Sequence, residues 1–165
     1  QHSSFPPLQP ANNLVTLLRA MMAGEHESFF ESFVSRSIER LQRYAGSWVL
    51  LGHGFWAVEE KISAKLVGEI GIMDAKRDME PPFGDDRELG WALLPEVHGK
   101  GYASEALQAV LAWEQRICGA DCRVAIIDPD NAPSIKLAQK FGFKERARTV
   151  YKGTPTIQFE LRKSA

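Results

Sequence analysis

The sequence has few cysteines, no long apolar run and almost no net charge, and each of these absences excludes a class of protein. Cys118 and Cys122 have no second Cys or His pair nearby, so they lack the four ligands of a structural zinc site. We therefore predict no metal, and two reduced, buried thiols in a cytoplasmic protein. A formal net charge of -1 argues against a nucleic-acid or membrane-surface partner. No apolar segment reaches the length of a membrane span.

The length of 165 residues predicts a single domain with a sizeable core. The sequence shows no internal repeat and no linker. Residues 1–12 are rich in proline and have no periodicity, so we expect an extended or poorly ordered lead-in there.

The most informative stretch runs from residue 88 to residue 118. A buried strand, Leu89 to Leu94, stops at Pro95, and an amphipathic helix begins near Ala103. Between them lies the loop 98–103, in which two glycines one residue apart allow consecutive N–H groups to turn toward one point. These groups lead into a helix N-terminus, where free donors and the helix dipole favour an anion. The pattern predicts a phosphate-binding loop, and a tight strand-to-helix turn is the alternative.

Two familiar phosphate-binding motifs do not fit this loop. It lacks the glycine spacing and the Lys-Ser/Thr pair of a nucleotide-triphosphatase loop, and Ser104 occupies the third glycine position of a dinucleotide-binding fingerprint. What remains is a diphosphate site without an evident metal ligand or ribose-binding acid.

Elsewhere, hydrophobic periodicity predicts alternating strands and helices. Helices are predicted at residues 25–34, 35–45 and 133–141, and a charged, proline-rich exposed loop at 76–87. Six further strands are predicted at 13–21, 53–60, 65–74, 123–127, 145–151 and 156–161.

The central loop resembles motif A of the GNAT N-acetyltransferase superfamily, Gln/Arg-x-x-Gly-x-Gly/Ala followed by a helix. Gly101 and Ala103 stand at its two small positions, while His98 replaces the usual Gln or Arg. Three further segments resemble motifs of the superfamily in the same order along the chain. They are Glu88-Leu89-Gly90-Trp91 with Pro95, which is similar to the branch of ribosomal-protein N-terminal acetyltransferases, then Asp128 to Ser134, and Lys140-Phe141-Gly142-Phe143.

The resemblance implies an α/β fold with a mixed, mostly antiparallel central sheet of about seven strands and helices on both faces. It implies a splay between the fourth and fifth strands, here residues 89–94 and 123–127. We expect a bulge at Trp91 to Leu94 to cause this splay.

The resemblance also implies that the chain transfers an acetyl group from acetyl-CoA, as cosubstrate, to a primary amine by direct attack in a ternary complex. Main-chain groups of Trp91, Leu93 and Leu94 then bind the pantetheine, with the N–H near Leu93 as oxyanion donor. Asn131 either contacts the pantetheine arm or caps a helix. The residues expected at the pyrophosphate are His98, Gly99, Lys100, Gly101, Tyr102 and Ala103.

Glu88 is the candidate general base, and a solvated carboxylate at a strand end is the alternative interpretation. Glu69 and His53 are weaker candidates. Many relatives have a tyrosine that protonates the leaving thiolate, but Ala138 stands at that position here. The resemblance makes Ser134 both a cofactor contact and the thiolate partner, unless its hydroxyl only bonds its own helix.

Acceptors that fit this chemistry are a peptide N-terminus, a polyamine or an aminoglycoside, and the resemblance suggests a homodimer. Two other functions stay open. The same fold can bind acyl-CoA without turnover, as a sensor or structural module. The same loop can also bind a phosphosugar or a nucleotide.

Overall fold

The computed structural model describes residues 39–162 apart from residues 41 and 118–120. The strand predicted at 13–21 and the helix predicted at 25–34 lie outside the described residues. The described part has six strands rather than about seven. Helix α1 is described at residues 39–40 and 42–51, so it continues six residues beyond the predicted end at 45.

All other predicted helices and strands are present, with ends within two residues of the prediction. A short 3-10 helix, Pro95–Val97, was not predicted. The remaining elements are β1 (Phe55–Glu59), β2 (Leu66–Met73), β3 (Arg87–Leu93), α2 (Tyr102–Ile117), β4 (Cys122–Ile127), α3 (Ala132–Lys140), β5 (Lys144–Tyr151) and β6 (Thr154–Arg162).

The strands form one sheet in the order β1-β2-β3-β4-β6-β5. Neighbours are antiparallel except β3 and β4, which are parallel and pair only through Arg87 with Arg123 and Glu88 with Val124. The mostly antiparallel sheet, splayed between these two strands, is thus confirmed.

The splay does not come from a bulge in β3, so that prediction is wrong. The register between β2 and β3 runs without a shift as far as Gly68 opposite Leu93, and the Leu94 N–H still donates to the Val67 carbonyl at 2.8 Å. The gap opens because β4 leaves β3 after Val124 but stays paired with β6 as far as Ile127.

The core lies between one face of the sheet and helices α2 and α3. Alternation along the strands places Trp56, Ile70, Ile72 and Leu89 on this face. Burying each such side chain stabilises the fold by about 1.5–3 kcal/mol. The other core residues are Leu107, Val110, Ala125, Ile127, Leu137, Ala138, Phe143, Ile157 and Phe159.

Helix α1 packs on the β1 edge through aromatic rings. Trp48 meets Trp56 and Trp113 edge-on, at centroid distances of 4.8 and 5.8 Å. Tyr44 stacks on Phe55 at 4.6 Å. Because Phe55 and Trp56 are successive strand residues that point to opposite faces, α1 contacts the sheet edge on both sides. Contacts with Trp48 explain why the helix continues beyond residue 45.

The loop between β2 and β3 is exposed at most of its charged residues, as predicted, but it is also anchored to the sheet. Met79 is only 6% exposed. The Pro81 carbonyl accepts a hydrogen bond from the Gln158 side chain, and the Pro82 carbonyl accepts one from Arg146, each at 2.9 Å. These two hydrogen bonds hold the segment against β5 and β6.

Cys122 is a free, buried thiol, as predicted, and burial raises its pKa to about 11. Cys118 lies outside the described residues. Within the described ranges, no three His, Cys, Asp or Glu side chains come together as a metal ion would require. None of the helices in the described part of the chain is both long and apolar enough to cross a bilayer.

Candidate functional site

A cavity of about 290 Å³ opens where β3 and β4 separate. Its walls come from α1, strands β1 to β4, the loop after β2 and the start of α3. The lining residues are Arg40, Tyr44, Phe55, Glu69, Met73, Arg77, Glu88, Leu89, Gly90, Trp91, Ala92, Ile126, Ile127, Asp128, Asn131 and Ser134.

The fold brings four residues of the predicted site into this cavity, namely Glu88, Trp91, Asn131 and Ser134. The others follow one another along the end of β3 and the loop beyond it, outside the cavity. These are Leu93, Leu94, His98, Gly99, Lys100, Gly101, Tyr102 and Ala103.

Glu88 is held by Arg77 in a bidentate ion pair. The Arg77 Nε and Nη2 atoms donate to the two carboxylate oxygens at 2.5 and 2.6 Å. Glu88 is 3% exposed, so it is not the solvated carboxylate that the sequence also allowed. Burial disfavours the charge on Arg77, but its bonds to Glu88, with help from Tyr151, raise the pKa of the guanidinium. The Tyr151 ring lies 5.0 Å from that guanidinium.

A second carboxylate of the cavity, Glu69, is also charge-paired, but through one oxygen. Arg40 forms an ion pair with it, and the Tyr44 hydroxyl donates to Glu69 at 3.1 Å. Arg40 also donates to the Tyr44 hydroxyl through Nη2 at 3.1 Å. Glu69 is 6% exposed, so both glutamates of the cavity are buried and charge-paired.

The sheet register sets the spacing of the two acids. Glu69 pairs with Ala92 and Glu88 lies four residues before Ala92 on β3, which separates the two along the strand by about 13 Å. The pair Gly71 and Gly90 lies between them on the same face. A side chain at Gly90 would collide with neighbours, since an added Cβ would lie 2.9 Å from Met73 Cε and 3.0 Å from the Phe55 ring. Glycine at this position therefore allows the Phe55 and Met73 side chains to pack directly against the backbone of β3.

Asn131 and Ser134 begin helix α3 and face Trp91 across the gap. The Asn131 side chain caps the helix by accepting from the Ser134 N–H at 3.1 Å. The Ser134 hydroxyl oxygen accepts from the Trp91 indole N–H, also at 3.1 Å. The helix-capping role of Asn131 is thus observed, and the Ser134 hydroxyl bonds a side chain of β3 rather than its own helix.

The main chain of β3 offers free donors to the gap. Along a strand, successive N–H groups point alternately to the two neighbouring strands. The Leu94 N–H points to β2, so the N–H groups of Trp91 and Leu93 point the other way, toward the gap. The His98 ring lies 3.0 Å from the Leu93 carbonyl oxygen through Nε2, which must therefore carry the proton. The Leu94 N–H is not free, because it donates to the Val67 carbonyl.

The loop after β3 has the backbone that an anion cradle needs. Gly99 and Gly101 have φ values of 74° and 90°, in the left-handed region that favours glycine. The first helical bond of α2 is donated by Glu105 to Gly101, so the preceding N–H groups at the helix start have no intrahelical acceptor. A Cβ added at either glycine would have no atom within 4 Å. The loop is therefore open to solvent at both glycines.

Two side chains near the loop have roles that the sequence did not reveal. Tyr102 turns away from the loop and donates to Glu60 at 2.5 Å, on the connection between β1 and β2. Hydroxyl donation by Ser63, and then by Tyr102, lowers the pKa of Glu60. Lys140 donates to Ser104 Oγ at 3.0 Å, which places a cation at the first turn of α2.

His53, a weaker base candidate, is not among the cavity-lining residues. It is 5% exposed, and burial, followed by the charge of Arg87, lowers its pKa. Ala138, which stands where many relatives have a tyrosine, is fully buried in the core.

The sequence reasoning missed Arg40, Tyr44 and Arg77. Arg40 and Tyr44 are four residues apart on a predicted helix, which places them on one face, and this spacing was an available signal. Nothing in the sequence pairs Arg77 with Glu88, because the contact depends on how the loop 74–86 packs.

The comparisons with known proteins agree on the family. Residues 13–144 match the model of the GNAT acetyltransferase domain. The uncharacterized protein YkkB of Bacillus subtilis is 30% identical over 68% of this chain and 63% of its own length. The N-acetyltransferase YnaD of the same organism, also uncharacterized, is 37% identical over 38% of this chain and 37% of its own length. The chain thus spans less than two thirds of these relatives.

Among solved structures, a Bordetella pertussis protein assigned to the GNAT acetyltransferases is 28% identical, with a TM-score of 0.79 over 93% of this chain and 92% of that one. The Salmonella typhimurium protein yncA, solved with its cofactor acetyl-CoA, is 26% identical, with a TM-score of 0.62 over 76% and 73%. A Vibrio cholerae protein assigned as a ribosomal-protein-serine acetyltransferase shares the fold, at 21% identity and a TM-score of 0.68 over 94% and 91%.

The motifs, the splayed sheet and the family match together lead to one assignment. The chain belongs to the GNAT acetyltransferase family.

Proposed function

We propose that this chain transfers the acetyl group of acetyl-CoA to a primary amine, by direct attack in a ternary complex. The observation that carries the proposal is the position of the cavity at the gap between β3 and β4. There the buried acid Glu88 approaches from one strand, and Asn131 and Ser134 approach from the start of α3. The solved structure of yncA with acetyl-CoA supports the choice of cosubstrate.

Acetyl-CoA fits the chain at two places. The open N–H groups of the loop from Gly99 to Ala103, with Lys100 and Lys140 nearby, suit the diphosphate. The free N–H groups of Trp91 and Leu93 suit the pantetheine amides and the thioester carbonyl, with the Asn131 amide facing them from α3. His98 would act indirectly, by holding the Leu93 carbonyl.

The chemistry requires a neutral amine, a polarised carbonyl and a stabilised leaving thiolate. In this proposal Glu88 accepts the proton that the amine nitrogen loses and passes it to solvent. The Leu93 N–H donates to the carbonyl oxygen as negative charge develops there. The C–N bond forms and the C–S bond breaks, and the electron pair leaves with sulfur. The Ser134 hydroxyl donates a hydrogen bond to that sulfur, which then takes a proton from solvent.

The charged side chains of the cavity indicate which kind of amine it can accept. Three acids, Glu69, Glu88 and Asp128, face two arginines, Arg40 and Arg77, and each glutamate already has a guanidinium partner. Such a cavity offers little excess negative charge to a polycation. We therefore rank a monoamine, such as a peptide N-terminus or a small-molecule amine, above a polyamine or aminoglycoside. The homodimer and the cytoplasmic location remain predictions.

One observation favours a second function, the binding of acyl-CoA without turnover. Both oxygens of Glu88 already accept hydrogen bonds from Arg77, so the carboxylate is engaged in an ion pair rather than left free for an amine. A sensor or structural module needs no base at all.

Two measurements together test these functions. Thermal denaturation with acetyl-CoA, CoA, ATP and NAD in parallel should show stabilisation by acetyl-CoA and CoA alone, in proportion to RT ln(1 + [L]/Kd). Thiol release from acetyl-CoA should then be measured against peptides, polyamines, aminoglycosides and small amines. Amine-dependent release supports the transferase, and stabilisation without any release supports the binding module. No stabilisation by CoA, or stabilisation by mononucleotides instead, would contradict both.

A further inference from the structure

The hydrogen bond between Trp91 and Ser134 joins two elements that border the gap. Trp91 lies on β3 and Ser134 on the first turn of α3, 43 residues apart in the chain. Both side chains are partly buried, and the Trp91 ring also packs against the core. Packing therefore holds the indole in one position, and its N–H can in turn hold the Ser134 hydroxyl in place.

The direction of this bond determines what the Ser134 hydroxyl can still do. An indole N–H only donates, so the Ser134 oxygen must be the acceptor. A hydroxyl has one proton to donate, and none of the hydrogen bonds that the described residues make uses this proton. The proton is thus left for a ligand in the cavity that Ser134 lines. Donation from the indole also polarises the hydroxyl and makes it a better donor.

We infer that Trp91 is a positioning residue, whose indole N–H holds the Ser134 oxygen so that the hydroxyl proton points to the sulfur of the departing CoA. The inference rests on the proposed transferase function. In this role the indole acts through Ser134, the residue to which its N–H donates. The bond matters most when negative charge develops on sulfur, so its loss lowers kcat rather than the affinity for acetyl-CoA.

The test is a double-mutant cycle on kcat and KM with Trp91→Phe and Ser134→Ala. Trp91→Phe keeps an aromatic ring and removes the N–H, and we expect a kcat about tenfold lower, as the loss of one hydrogen bond in the transition state implies. The KM for acetyl-CoA and the thermal shift it produces should stay at the wild-type values. In the Ser134→Ala background, Trp91→Phe should change kcat no further.

Trp48→Phe is the matched control. Its indole N–H donates to the Phe55 carbonyl at the same distance, 3.1 Å, but has no contact with Ser134. This variant loses an equivalent bond and should keep the wild-type kcat, whatever it does to the unfolding midpoint.

The outcomes separate the inference from the function on which it rests. If Trp91→Phe lowers kcat equally with and without Ser134, or raises KM alone, the inference is wrong and the transferase stands. If the wild type releases no thiol with any amine, the proposed function fails and the inference fails with it. Should Trp91→Phe not fold, Ser134→Thr and Ser134→Ala decide the point. Threonine keeps the acceptor for the indole and should retain more activity than alanine, and equal losses would overturn the inference.

Discussion

The Arg77 guanidinium and the Glu88 carboxylate lie edge to edge, joined by two hydrogen bonds of 2.5 and 2.6 Å, at the border of the cavity. Their side chains are 19% and 4% exposed, so this is a largely buried pair. The pair ties the loop 74–86 to the central strand. It also puts a charge-paired acid next to the place where we propose that an amine reacts.

Replacing Arg77 with methionine should destabilise the protein by about 3–5 kcal/mol, because it leaves a buried carboxylate without a partner. Urea unfolding of wild type and variant measures the difference. Arg148→Met is the matched control, since Arg148 bonds both oxygens of Glu145 in an exposed pair. We expect that variant to unfold like the wild type. Equal losses for the two variants would show that burial does not set the strength of the Arg77 pair.

Gly101→Glu should abolish the thermal stabilisation by acetyl-CoA. The new side chain would enter the open side of the loop and oppose the diphosphate charge, at a position where φ is 90°. Gly153→Glu is the control, because Gly153 has a similar φ of 81° in the hairpin between β5 and β6. It carries the same backbone strain and the same charge away from the loop, so its response to acetyl-CoA should be normal. An unchanged affinity in Gly101→Glu would remove the phosphate-site assignment.

Glu88→Gln should lower kcat by about 10²–10⁴-fold if Glu88 is the general base, with little effect on the affinity for acetyl-CoA. The amide keeps one acceptor oxygen for Arg77 but turns a donor toward its second N–H, so urea unfolding of the variant is measured alongside to separate a loss of stability from a loss of the base. Steady-state kinetics with the best amine of the panel gives kcat, and thermal shift gives the affinity. Glu69→Gln changes the other paired acid of the cavity and distinguishes a local role from a general loss of charge. Full activity of Glu88→Gln at neutral pH would exclude Glu88 from the mechanism.

The buried His53 should make the protein less stable in acid. Burial, followed by the charge of Arg87, lowers its pKa in the folded state below the ordinary value of 6.5. The unfolded state therefore binds more protons over this range, and the free energy of unfolding falls as the pH falls through 6.5 toward the folded-state value.

His53→Gln should flatten that part of the pH dependence, as measured by urea unfolding at several pH values. A His53→Gln slope equal to that of the wild type would mean that His53 does not carry the effect.

The sequence by itself determined the local structure and the family. Residue patterns located every described strand and α-helix, because burial on one face of a strand or helix leaves a period in the residue types, but they missed the short 3-10 helix Pro95–Val97. The loop 98–103 was predictable because its glycines and the following helix act through the backbone, with no contribution from distant residues. The motifs from Glu88 to Phe143 were sufficient for the GNAT assignment, and the structure and the family match confirm it.

Tertiary structure decided which side chains meet. The bonds of Arg77 to Glu88, Trp91 to Ser134 and Lys140 to Ser104 join residues on different elements. No spacing in the sequence encodes them, since each depends on how strands, helices and loops pack. The sequence predicted the position of the splay correctly but not its cause. The splay results from the pairing of β4 with β6, and not from a bulge in β3. The site chemistry thus comes from local motifs, and the partners of each reactive group come from the fold.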